Sequence, residues 1–201
     1  TEEKLNVCID NLAAYGPCTT VLTSFNIRSL HKHKEDLEKD LNLMSSDVLA
    51  ISETRLVETD EEETLSLPGY TMHRFDSPKH GTQRPLYGLA IYVKESLTVK
   101  NINKKREHNV QFFSLDIEIR SGLPILFLFL YIPPKTNLLT LENMLGSMFR
   151  DCLDDQKPVV LTGDFNIDNL SSQTKNIIKF LSEFNFKYLP TYSTTDYGSA
   201  L

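Results

Sequence analysis

The sequence predicts an α+β fold, a four-layer sandwich of two packed, mostly antiparallel β-sheets flanked by helices. Three observations carry this expectation. Short apolar segments rich in Val, Ile, Leu, Phe and Tyr recur along the chain, each bounded by Gly, Pro, Asn or Ser. Only three segments have helical periodicity. A ratio of about nine strands to three helices is too strand-rich for a doubly wound parallel sheet, and it suits two sheets with helices on their outer faces.

The elements follow in order. Strands are expected over 20–26, 47–52, 70–75, 87–93, 97–101, 111–118, 124–132 and 158–162, with a last one near 187–189. Leu30, Leu37, Leu41 and Met44 recur at helical spacing and place a helix over about 33–43. Leu138, Leu141, Leu145, Met148 and Cys152 define a longer second helix. Ile177, Ile178, Leu181 and Phe184 define a third, with Ser171 or Ser172 as its N-cap. Residues 1–18 lack periodicity and read as a loose lead-in, leaving 19–201 as one domain.

Composition bounds the class. A hydrophobic content of 40% with 24% charged residues belongs to an ordinary soluble globule. The longest apolar run, 123–132, has half the roughly 20 residues of a membrane helix and the length of a buried strand. No membrane association is expected. Thr1 opens no charged-then-apolar leader, and the odd set Cys8, Cys18 and Cys152 makes no paired framework and no zinc spacing. An intracellular protein, nuclear or cytoplasmic and not secreted, is expected.

Net charge is −6, which argues against a nucleic-acid partner until it is placed along the chain. Residues 1–63 carry 14 acids and 6 bases, a net of −8. Residues 79–108 carry Lys79, Arg84, Lys94, Lys100, Lys104, Lys105 and Arg106 against Glu95 and Glu107, seven minus two, a net of +5. The Glu61-Glu62-Glu63 run reads as a solvated loop. Lys104, Lys105 and Arg106 read equally well as a second solvated loop or as a phosphate-facing patch.

Three apolar strands run into polar residues suited to phosphate or metal chemistry: 20–25 into Asn26, 47–52 into Glu53, and 158–163 into Asp164, with Phe165 and Asn166 following. Strand ends converging at one rim of a sandwich aim side chains into a shared cleft. Asp164 and Asn166 are two apart, so in extended backbone both point one way while Phe165 points into the core. Gly163 would let the backbone pass close to a substrate. Singly these signals are weak, since an acid at a strand end is ordinarily a solvated turn. Tyr131, after the run Leu126 to Leu130, would by itself be read as core.

Their order is more specific. Ser24-Phe25-Asn26-Ile27-Arg28-Ser29-Leu30, then Ser52-Glu53-Thr54, then Tyr131-Ile132-Pro133, then Gly163-Asp164-Phe165-Asn166 resembles the endonuclease/exonuclease/phosphatase family, also called deoxyribonuclease I-like, from about Thr20 onward. Within it, Asn26 to Leu30, Ser46-Asp47-Val48-Leu49 leading to Glu53, and Gly88-Leu89-Ala90-Ile91-Tyr92-Val93 are similar to endonuclease domains of non-LTR retrotransposons. Leu30-x-x-His33-x-x-Asp36-Leu37 is similar to those joined to Helitron-type helicases.

The resemblance implies roles. Glu53 would coordinate Mg²⁺, with Mn²⁺ as a substitute, a hard ion suited to carboxylate oxygen. Asn26 would hold the metal ligand and phosphate by hydrogen bonds, and Tyr131 would contact a phosphate oxygen or assist the leaving group. Asp164 would orient or deprotonate water, and Asn166 would hold the phosphate. Arg55 either touches phosphate or pairs with an acid. The product would be a DNA nick with a 3′-hydroxyl. The domain would be monomeric and fused to reverse transcriptase or helicase domains. A phosphatase or phosphodiesterase acting on a phosphorylated small molecule or lipid headgroup, and an inactive nucleic-acid-binding relic, are the alternatives.

The match also departs from the pattern. The usual Asn two places before the motif tyrosine is Phe129. The family closes with an Asp on a late strand and then Ser-Asp-His, whereas here Pro190-Thr191-Tyr192 and Ser199-Ala200-Leu201 resemble only the approach to that strand. The domain is therefore expected to lack its last strands and to be inactive alone. His31, His33, His73, His80 and His108 are expected to be surface residues.

Overall fold

The computed structural model describes residues 19–78, 85–153, 157–167 and 172–189. Strands β1 (Leu22–Asn26), β2 (Val48–Ser52), β3 (Tyr70–Phe75) and β4 (Leu89–Lys94) form one sheet in the order β1-β2-β4-β3. Strands β5 (Thr98–Glu107), β6 (Val110–Glu118), β7 (Pro124–Tyr131) and β8 (Val159–Asp164) form a second, in sequence order. Each sheet has two antiparallel pairs and one parallel pair, β1 with β2 and β7 with β8. A parallel pair needs a crossover that returns the chain to its starting edge. Helices α1 (Leu30–Lys39) and α2 (Leu41–Ser45) make the first, and α3 (Leu138–Cys152) makes the second. Helix α4 (Ser172–Ser182) follows β8.

Three apolar seams separate the four layers. Leu30 and Leu37 of α1 pack on Leu49, Ile51, Ala90 and Tyr92 of the first sheet. The opposite face of that sheet, through Val48, Ala50 and Ile91, meets Phe113, Leu115, Phe127 and Phe129 of the second. The far face of the second sheet, through Phe112, Leu128 and Leu130, meets Leu141, Leu145 and Phe149 of α3 and Ile177 of α4. Central strands thus bury both faces, which is why β2, β4 and β7 read as continuous apolar runs rather than alternating ones. At the end of the sandwich away from the carboxyl ends of β1 and β2, fully buried Asp47 accepts from Val21 N at 2.8 Å and pairs with Arg120 at 2.6 Å.

Several boundaries differ from those expected. The helix over 33–43 is two helices, because Asp40 is extended and its side chain accepts from Asn42 N and Leu43 N, capping a new start. Strand β5 continues past 101 through a register shift between Lys100 and Asn103, so Lys104, Lys105 and Arg106 are strand residues rather than a loop. Residues 187–189 are not a strand: they are exposed and pair with no strand among the described residues. Ser172 lies inside α4 rather than capping it. The lead-in 1–18, Cys8, Cys18, Lys79, His80, Arg84, Ser171 and the segment 190–201 lie outside the described residues. No helix among the described residues is long and apolar enough to cross a membrane.

Gly163 serves strand packing. A Cβ built on it would sit 2.2 Å from Leu130 O and 2.8 Å from Leu130 N, so close approach of β7 to β8 requires its absence. Gly163→Ala is expected to lower stability by about 3 kcal/mol through forced separation of these strands. Urea unfolding at constant m-value measures it, and a loss below half that figure would mean that the pair yields without strain.

Candidate active site

The two parallel pairs bring the carboxyl ends of β1, β2, β7 and β8 to one rim. Asn26 lies beside Ser52 in one sheet and Tyr131 beside Asp164 in the other. Asn26 Nδ2 donates to Asp164 Oδ2 at 2.8 Å, and one step back Ser24 Oγ and Thr162 Oγ1 are 2.7 Å apart. These bonds tie β1 to β8 across the sandwich. Asn26 Oδ1 accepts from Arg28 N at 3.0 Å, so the amide is used at both ends.

Asp164 is 4% exposed. Burial raises its pKa above the ordinary carboxylate value, against the hydrogen bonds from Asn26 and from Asn166 N, with the nearby charge of Glu53 adding to the rise and Ser52 opposing it. Asn166, in the left-handed region at φ 48°, donates its backbone N–H to Asp164 Oδ1 at 3.2 Å and its Nδ2 to Ile132 O at 2.9 Å. The Gly-Asp-Phe-Asn turn is thereby locked to the end of β7. Phe165 packs into the seam under α3 and α4, as alternation predicts.

Glu53 is the first residue after β2, at φ 50°, and Arg55 is at φ 58°. Between them Thr54 is fully buried. The turn is clamped by the segment preceding β4: Thr54 N donates to Gly88 O at 3.1 Å and Arg55 N to Tyr87 O at 2.9 Å. Gly88, at φ 114°, is required here because a Cβ would lie 2.4 Å from Thr54 Oγ1. Arg55 approaches Glu53 Oε2 at 3.6 Å, while its Nε is buried and has no hydrogen-bond partner.

Tyr131 is both core and site. It is 3% exposed at the end of the inter-sheet seam, its ring centroid 5.4 Å from that of Tyr87. Burial, then the charges of Glu53 and Asp164, push its phenol far above its ordinary range, which favours the protonated form.

Asn26, Glu53, Arg55, Tyr131, Asp164 and Asn166 therefore share one rim. The basic trio divides. Lys105 turns toward α3, 3.9 Å from Asp151. Lys104 and Arg106 alternate to the other face, Lys104 5.3 Å from the Phe113 ring centroid. Half-buried Arg106 lies 4.6 Å from the Phe75 ring centroid and donates to Asp76 O. Burial lowers its pKa, as expected of a packed guanidinium. The cross-strand row Arg106, Gln111, Tyr131 and Asp164 places it at the far end of the same rim. His73, in β3, is only partly exposed, and its Nε2 is buried with no hydrogen-bond partner.

Sequence reasoning missed Tyr87 and Gln111, and it named Ser52 only as a member of the Ser52-Glu53-Thr54 motif, without its bond to Asp164. Gln111 had a signal, a fully polar amide near the start of an otherwise apolar strand.

Among the described residues no group of three or more His, Cys, Asp or Glu forms a closed metal cage. Glu53, with the repelling charge of Asp164 nearby, instead fits a hydrated hard cation held by one or two carboxylates.

Two packed four-stranded sheets thus bring carboxylates, amides and a tyrosine together at one rim. The chain belongs to the Endonuclease/Exonuclease/phosphatase family, whose model matches residues 23–201. Family members are hydrolases of phosphodiester bonds, and its nucleases generally use divalent metal ions. No curated protein matches the chain. Among solved structures, the human Nocturnin catalytic domain with bound sulfate is similar at 15% identity and TM-score 0.62, covering 87% of this chain and 78% of that one. An AP endonuclease from Archaeoglobus fulgidus is similar at 14% identity and TM-score 0.59, covering 83% and 71%. TDP2 from C. elegans is similar at 18% identity and TM-score 0.51, covering 74% of this chain, which spans about half, 48%, of that one. These likenesses concern the fold.

In the metal-free protein the Asp164 carboxyl is expected to titrate above the ordinary aspartate value of about 3.9. Folding favours its protonated form, so its contribution to stability is complete below that ordinary value and is lost as pH rises through the raised one. A carboxyl-carbon NMR titration checks this, and a midpoint at or below the ordinary value would show that the bonds from Asn26 and Asn166 outweigh burial.

Proposed function

We propose that this chain is a divalent-metal-dependent DNA-nicking domain of a mobile element, using Mg²⁺ or, as a substitute, Mn²⁺. The observation that carries the phosphodiesterase reading is the Asn26 to Asp164 bond, which unites the motif residues of both sheets at one rim. The mobile-element reading rests on the resemblance of Asn26 to Leu30, Ser52 to Thr54 and Gly88 to Val93 to transposon endonuclease domains, and implies fusion to reverse transcriptase or helicase domains.

The side chains divide the work. Glu53 would hold the metal ion, which supplies charge stabilisation for the phosphate and its leaving oxygen. Asp164, once ionised, accepts a proton from the attacking water, with Asn26 and the Asn166 N–H fixing its two oxygens. Tyr131 stays protonated and donates a hydrogen bond to the phosphate or to the leaving oxygen, which takes its proton from solvent. Arg55, with a buried unpartnered Nε, gains a phosphate oxygen as the acceptor it lacks. The amide of Asn166, bonded to Ile132 O through one Nδ2 hydrogen, would donate the other to the phosphate. The product is a nick with a 3′-hydroxyl, which a polymerase can extend.

Measured in the full parent polypeptide, Glu53→Gln should cut Mg²⁺-supported plasmid nicking by orders of magnitude with unfolding unchanged, since it removes the metal's charge partner at constant size. Nicking within a few-fold of the parent at saturating Mg²⁺ would refute the metal assignment. Inositol phosphate hydrolysis without nicking would instead identify a small-molecule phosphatase.

Lys104 and Lys105 are exposed, whereas Arg106 is packed. Lys104→Ala with Lys105→Ala should flatten the salt dependence of DNA binding by about 0.9 in log–log slope for each phosphate that is no longer neutralised. Arg106→Ala should lower stability instead. Equal salt slopes for parent and double variant would place DNA elsewhere.

A further inference from the structure

Gln111 is fully buried among apolar neighbours in β6, yet all its bonds leave the strand. Its Oε1 accepts from Gly88 N at 2.9 Å, and its Nε2 donates to Phe75 O at 3.2 Å and Asp76 O at 3.3 Å. A buried amide is retained where every bond is made, and an apolar residue of similar length would fill the same volume. What an apolar residue would forfeit is the hold on residues 85–88, a stretch with no helix or strand of its own.

That stretch is the other half of the Glu53 turn. Gly88 N binds Gln111, while Gly88 O accepts from Thr54 N and Tyr87 O from Arg55 N. The Tyr87 ring rests on Tyr131, which is Gln111's neighbour across β6 and β7. Glu53 and Arg55 both hold positive φ, a conformation that persists in such residues only when surrounding bonds over-determine it.

We propose that Gln111 is a positioning residue: acting through Gly88 and Thr54, it holds the Glu53 turn in its metal-binding conformation. The inference rests on the proposed role of Glu53 as the metal ligand.

Three measurements on Gln111→Met test it. Hydrogen exchange of the Thr54 and Arg55 amides should rise at least about tenfold over the parent. Mn²⁺ affinity, measured by electron paramagnetic resonance of free Mn²⁺, should fall by about 10- to 100-fold. In a Glu53→Gln background the same change should leave the residual affinity unaltered, because Gln111 acts only through Glu53. Asp47→Asn, which weakens the opposite end of the sandwich, should leave Mn²⁺ affinity at the parental value and so separates positioning from general loosening.

Unchanged exchange at Thr54 and Arg55 overturns the proposal, as does an affinity loss that persists in the Glu53→Gln background. If the exchange rises while the parent itself binds no Mn²⁺, the hold on the turn stands and the metal role of Glu53 falls.

Discussion

The structure depends on closing two apolar sheets at a rim where their hydrophobic contact runs out. Inside the seam, Phe113, Phe127 and Phe129 are essentially fully buried and contribute about 1.5–3 kcal/mol each. At the rim the contacts are polar: Asn26 to Asp164, Gly88 to Gln111, and Asp76 to Gln111 and Arg106. Such bonds contribute about 1 kcal/mol each, so they decide geometry rather than supply most of the stability. They also force polar atoms to converge where two strand layers end, which is the arrangement a phosphate site needs.

The backbone records the same constraint. Arg28, Ser29, Glu53, Arg55 and Asn166 all hold positive φ, and all lie just beyond the ends of β1, β2 and β8. Strands with apolar residues on both faces cannot bend within themselves, so the change of direction falls on the first residues outside them. Side chains carried on those residues leave the strand direction and reach the space over the rim. Rigid strands and tight exits together give the site its precision.

Much of this was legible in the sequence. The strands ending at Asn26, Glu53 and Asp164 declared themselves by unbroken apolar runs, and their order carried the family. The parallel pairing of β1 with β2 and of β7 with β8 was not legible, because a strand buried on both faces reads alike whichever way its neighbour runs. The extent of β5 was missed because its exposed lysines and the shift after Lys100 imitate a loop. Gly163 was read as room for a substrate, whereas its neighbour is the backbone of Leu130, a contact that no local pattern encodes. Gln111 escaped because its partners lie 23 and 36 residues away, on segments that touch it only in three dimensions.

The bond between Asn26 and Asp164 spans 138 positions of sequence. Contacts that remote form late, since the loop they close must first be ordered by nearer ones. On the ribosome the chain must have emerged through β8 before the Asp164 carboxylate can meet its amide partner Asn26. Every nascent chain that ends between Tyr131 and Asp164 holds Glu53 and Tyr131 without Asp164, so the order of synthesis leaves this rim incomplete until both sheets are in place.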